Sequence, residues 1–151
     1  MCDHHPAQGP SLAADEIQQA VLKRLKRYET LNVFEQFAMF MGIAQVVELS
    51  LKQLLHRKYG VAVESTETLT LGQVARALKE RGLRADFMAL LDNVVKHRNH
   101  LAHSLMANQI MLHSLGAGNA RFETRVLDRA IYELEQLWFL YEWTEEHNAW
   151  N

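Results

Sequence analysis

At 151 residues, with seven Gly, two Pro and one Cys, the chain has the length of one domain with its own core. That composition excludes collagen-like and low-complexity proteins, disulfide frameworks and Cys-based zinc fingers. A net charge of -2 excludes a generally basic nucleic-acid coat, so any site for a polyanion is a local patch.

No uninterrupted apolar run reaches about 18 residues, so no transmembrane helix is expected. The opening MCDHHPAQGP lacks the apolar stretch of a signal peptide, and a cytoplasmic protein is the expectation. Residues 1–10 hold both prolines and little else that is apolar, and read as a flexible tail. His4 and His5 fall in that tail rather than in a metal site. Residues 11–151 read as a single domain.

The first helix is expected over residues 11–28, because Ile17, Val21, Leu25 and Tyr28 recur at three- and four-residue steps. Asn32 and Glu35 then fit a capping box. They open a long helix whose stripe is Phe34, Phe37, Met41, Ala44, Leu51, Leu55 and Tyr59, with Gly60 as the stop. The segment VAVESTET reads as a loop. In TLTLGQV, Thr70 and Gln73 form a second capping box, with Leu69 and Val74 as its hydrophobic staple. This starts a short helix that ends near Gly82. Another long helix follows over about residues 84–105. Residues 107–123 carry two Gly and two Asn and read as a loop. The last helix spans residues 123–147, with Val126, Leu127, Ala130, Ile131, Leu134, Leu137, Trp138 and Tyr141 on one face. Four long helices and one short helix make an all-α bundle. Leu140, Trp143 and Trp150 lie partly off that last stripe. They form either a self-association face or further core.

Two charges stand out. On a wheel of about 100° per residue, Phe87, Leu90, Leu91, Val94, Leu101 and Leu105 share one arc, and Arg98 falls inside it. On the long helix before it, Glu48 falls within the assumed stripe, about 20° from Phe37. A lone buried charge costs several kcal/mol. Glu48 and Arg98 are therefore expected to face each other, as a structural ion pair or as a pair that leaves guanidinium donors aimed outward. An Arg98 that snorkels to solvent is the alternative.

KHRNHLAHSL, residues 96–105, adds three histidines. His97 lies near the edge of the apolar arc, as a packed residue. His100 lies on a flank, and His103 about 180° from Val94. Asn99, Asp92 and Lys96 share the His103 side. Steps of three residues make His97 and His103 diverge by about 120°, which suits a metal poorly, and no metal is expected.

RNHLAH, Arg98 to His103, resembles the R-x4-H form of the R-x4-6-H motif of HEPN domains, with the polar Asn99 directly after the Arg. The motif is late on a long helix, after FMALLDNVV. LTLGQVARAL resembles the short capped helix that precedes the motif helix in several bacterial members. The resemblance covers roughly residues 12–148. It implies an all-α HEPN-like bundle acting as a homodimeric, metal-independent endoribonuclease, toxin- or defence-related, with no cofactor. Carried over, Arg98 and His103 are the catalytic pair and Asn99 assists them, in a cleft shared by two subunits. RNA and a cognate antitoxin are the implied partners, with Glu48 in support and Lys96 and His100 touching RNA. Arg76, Arg81 and Arg84 are further basic residues. A histidine can move the 2′-OH proton and an arginine can hold the phosphate, giving a 2′,3′-cyclic phosphate and a 5′-OH. Toxins paired with nucleotidyltransferase antitoxins usually read R-x4-H-x-Y, whereas Leu105 stands at that last position here. The alternative is a catalytically inactive HEPN-like dimer that binds nucleotide, RNA or a partner protein.

Overall fold

A computed structural model describes residues 12–105 and 121–151, and the side chains of these except 104, 105 and 121–123. The expected tail at 1–10 lies outside the described residues, as does most of the expected loop at 107–123.

Among the described residues every regular element is helical: α1 (Ala14–Leu25), α2 (Val33–Tyr59), α3 (Val63–Thr66), α4 (Leu71–Glu80), α5 (Ala85–His100) and α6 (Arg121–His147). A 3-10 turn, Lys26–Tyr28, ends α1, and a π-helical turn, Leu101–Leu105, extends α5. The all-α expectation holds.

Local chemistry sets most of the boundaries. Both capping boxes form, Asn32 with Glu35 and Thr70 with Gln73, each satisfying two otherwise unpaired amides. Gly60 ends α2 in the left-handed region at φ 66°, which costs a glycine little. The segment read as a loop after Gly60 contains the four-residue helix α3.

α6 is the centre of the bundle. It packs against α1, α2 and α5, while α4 packs against α2 and α5. Val21, Leu51, Val74, Leu91, Val94, Leu127, Leu134 and Leu137 are fully buried at these seams. The segment after α6 closes one side of the core. After His147 the backbone turns at Asn148, φ 49°, and folds Trp150 back to 2 % exposure. Its ring meets Phe87 edge-on at 5.0 Å, and its indole N–H donates to Glu145 at 2.7 Å. Leu140 packs against the same core, and Trp143 stacks on His147. Of the two readings of these off-stripe residues, core packing is the one realised for Trp150. The exposed large apolar side chains among the described residues are Leu22, Phe34, Val46, Leu49 and Val63, none of them on α6.

The phase of α2 differs from the sequence reading. Its buried residues are Phe40, Ala44, Val47, Leu51, Leu54 and Leu55, while Phe34 is 53 % exposed. The centre of that buried face lies about 70° from Glu48 on the helical wheel. Glu48 therefore rides the flank of the helix rather than its core side.

Candidate functional site

The end of α5 and the flank of α2 enclose a groove of about 440 Å³, lined by Ala38, Met41, Gly42, Gln45, Glu48 and Arg98. Ala38 and Gly42 keep one wall low. Glu48 and Arg98 thus share one cavity, as their positions on the two helices suggested. They do not form the expected buried ion pair. Glu48 Oε1 accepts from Lys52 Nζ at 3.0 Å, one helical turn on, and Lys52 also donates to the Glu67 carbonyl. The cause is the phase of α2: on its flank, Glu48 reaches its own i+4 neighbour before it reaches across to α5.

Arg98 is half-buried, and among the described residues it meets no carboxylate. Among the described residues its hydrogen bond is a long one, from Nη1 to Asn99 Oδ1 at 3.4 Å. Arg24, Arg27, Arg57, Arg84 and Arg129 are all paired with acids. A guanidinium keeps its charge at any ordinary pH and offers five donors in a fixed fork. At the mouth of a polar groove it is a ready receptor for phosphate or carboxylate.

The histidines part company. His97 is held by α6, with Nε2 2.6 Å from Glu133 Oε2, and Glu133 also accepts from Arg129. It is packed at the α5–α6 seam, with an acid partner that the sequence did not show. Lys96, Asn99, His100 and His103 are exposed. In an ideal α-helix Arg98 and His103 would diverge by about 140°. His103 instead lies on the π turn, where the wider i→i+5 pattern advances each residue through a smaller angle. The π turn narrows that divergence, but His103 does not line the groove that holds Arg98. Single π turns recur at functional sites.

One polar cluster was not found from the sequence. Glu135 on α6 is 0 % exposed, accepts from Tyr28 Oη at 2.6 Å and is paired with Arg27. Burial, and then the bond to Glu135, push the Tyr28 hydroxyl well above its ordinary pKa. Glu135 sits beside the apolar stripe of α6, and a helix with three packed neighbours buries an arc wider than that stripe.

Comparison of the chain with protein-family models, with curated proteins and with solved structures gave no match.

Proposed function

We propose that the chain is a metal-independent endoribonuclease of the HEPN type, toxin- or defence-related, acting as a homodimer in which Arg98 and His103 of two copies share a cleft. The observation that carries this reading is the half-buried guanidinium of Arg98, bonded to no carboxylate among the described residues, in a polar groove and followed by a histidine on a π turn.

The chemistry follows from those groups. His103 takes the 2′-OH proton of a bound ribose, and the 2′ oxygen attacks the adjacent phosphorus. The O2′–P bond forms as the P–O5′ bond breaks. The leaving 5′ oxygen takes a proton from the histidine of the second copy. Arg98 binds the non-bridging oxygens as their charge grows, and Asn99 steadies the guanidinium. Lys96 and His100, both exposed, contact the RNA backbone.

A second reading, a catalytically inactive dimer of the same type that binds nucleotide, RNA or a partner protein, is favoured by the net charge of -2 and by the carboxylate of Glu48 in the groove wall. Purified protein incubated with mixed RNA and excess EDTA separates the two. Cleavage that survives EDTA and disappears in Arg98→Ala and in His103→Ala supports the enzyme. RNA retention without cleavage supports the binder, and equal cleavage by all three proteins refutes both roles for these residues.

A further inference from the structure

α2 is apolar on more sides than the bundle covers. It is long and apolar enough, by length and composition, to cross a membrane, with a mean hydropathy of 1.3 over its best window and 33 % of that window buried. A helix apolar all round is normally covered all round. The uncovered face runs through Phe34, Ala38, Gly42, Gln45, Val46 and Leu49, with Phe34 53 % and Leu49 54 % exposed. The one charge exposed within this stretch, Glu35, is held in the Asn32 capping box.

Gly42 supplies the second observation. Glycine inside a helix costs about 1 kcal/mol relative to alanine. A Cβ at Gly42 would meet nothing within 4 Å, so the fold of a single copy gives no steric reason for it. Close approach of another backbone does. The strip is also symmetric about this point. Ala38, Gly42 and Gln45 sit between bulky Phe34 and Leu49, whose midpoint falls at residues 41–42. A second α2 laid antiparallel, centred there, sets each Phe34 against the other copy's Leu49 and each Ala38 against Gln45.

We propose that this face of α2 is the contact between two copies of the chain, with the two-fold axis beside Gly42. The inference rests on the shared-cleft reading for its functional meaning and adds where the axis lies. The groove that holds Arg98 borders the same strip, on its Met41 and Glu48 side. The strip is about 22 Å long and about 10 Å wide. That is less than the roughly 800 Å² per partner of a standard interface, so the contact spreads onto the groove wall and the end of α5. The second α2 then roofs the groove, and the two Arg98 grooves meet at the axis.

Cross-linking between identical positions locates a two-fold axis, because a disulfide needs Cα atoms within about 7 Å. In a Cys2→Ser background, Gly42→Cys is expected to form a disulfide dimer on mild oxidation. Phe34→Cys alone and Leu49→Cys alone are not, since each would stand about 22 Å from its own copy. The double variant Phe34→Cys/Leu49→Cys is expected to cross-link. Sedimentation of the unmodified protein should give twice the chain mass at tens of micromolar. Leu49→Asp, at an exposed position, should halve that mass without lowering the melting temperature. A monomeric wild type, a dimer that cross-links elsewhere, or partition of the protein onto phosphatidylcholine vesicles in place of self-association would each overturn the proposal. None of these readouts uses RNA. A dimer with the expected cross-links that cleaves nothing sinks the ribonuclease reading alone, and an RNA-cleaving dimer that cross-links elsewhere sinks this one alone.

Discussion

Replacing Tyr28 with Phe removes one hydroxyl from the core and nothing else. The structure fixes what that hydroxyl does: it donates at 2.6 Å to Glu135, a carboxylate with 0 % exposure. A hydrogen bond to a charged group contributes about 1.5–3 kcal/mol, and stranding a buried charge costs more than losing a neutral bond. The remaining partner is Arg27, whose side chain is 45 % exposed and therefore screened by solvent. Glu135 Oε2 has no hydrogen-bond partner among the described residues. Tyr28→Phe is thus expected to lower stability by about 2–3 kcal/mol, and Arg27→Ala by about 1 kcal/mol or less. The double variant Tyr28→Phe/Glu135→Met removes donor and acceptor together. It should lie within about 1 kcal/mol of the wild type, a strong positive coupling. Urea unfolding with an unchanged slope measures all three. A Tyr28→Phe cost below about 0.5 kcal/mol, or a larger cost for Arg27→Ala, would refute the assignment of the hydroxyl as the main support of Glu135.

The same pair shapes stability at high pH. Folding holds the Tyr28 hydroxyl protonated above its ordinary pKa, chiefly through burial, so above about pH 10 the unfolded chain loses a proton that the folded chain keeps. That contribution is intact below about pH 10 and is lost above it by up to about 1.4 kcal/mol per pH unit. Urea midpoints between pH 9 and 11 should therefore fall more steeply for the wild type than for Tyr28→Phe; parallel curves would contradict this. Trp150→Ala empties the slot against Phe87 and Tyr141 and is expected to cost about 3–5 kcal/mol, lowering the melting temperature by roughly 10 °C. A shift below about 3 °C would show that the segment after α6 does not close the core.

Much of the fold was legible where local chemistry decides it. Asn32 with Glu35, Thr70 with Gln73, and Gly60 mark their helix ends in sequence because the groups that satisfy the backbone are neighbours along the chain. The phase of α2 was not legible. With Phe34, Val46 and Leu49 on one side and Val47, Leu51 and Leu54 on the other, periodicity alone offers several stripes, and only the placement of α4 and α6 chooses among them. That error put Glu48 in the core and paired it with Arg98, whereas it rides the flank with Lys52. Glu48 and Arg98 still line one groove, because the rotation of α2 moves Glu48 along the groove's edge without taking it out. The π turn has no mark in LAHSL, since widening a helical hydrogen bond changes no residue. Glu135 was missed because its partners Tyr28 and Arg27 lie more than 100 residues away. The acid partner of His97 was missed in the same way, Glu133 being a feature of the α5–α6 seam.

A cleft built from two copies is most directly tested by complementation. Arg98→Ala and His103→Ala, each inactive on RNA in EDTA, are mixed and allowed to exchange subunits. The expected result is partial recovery of cleavage with 2′,3′-cyclic phosphate ends, because a mixed dimer holds one intact arginine and one intact histidine in the same cleft, and water gives the leaving oxygen the proton that the missing second histidine would have supplied. A mixture that exchanges subunits and stays as inactive as its components, or one whose activity returns only with a divalent metal, would contradict the shared site.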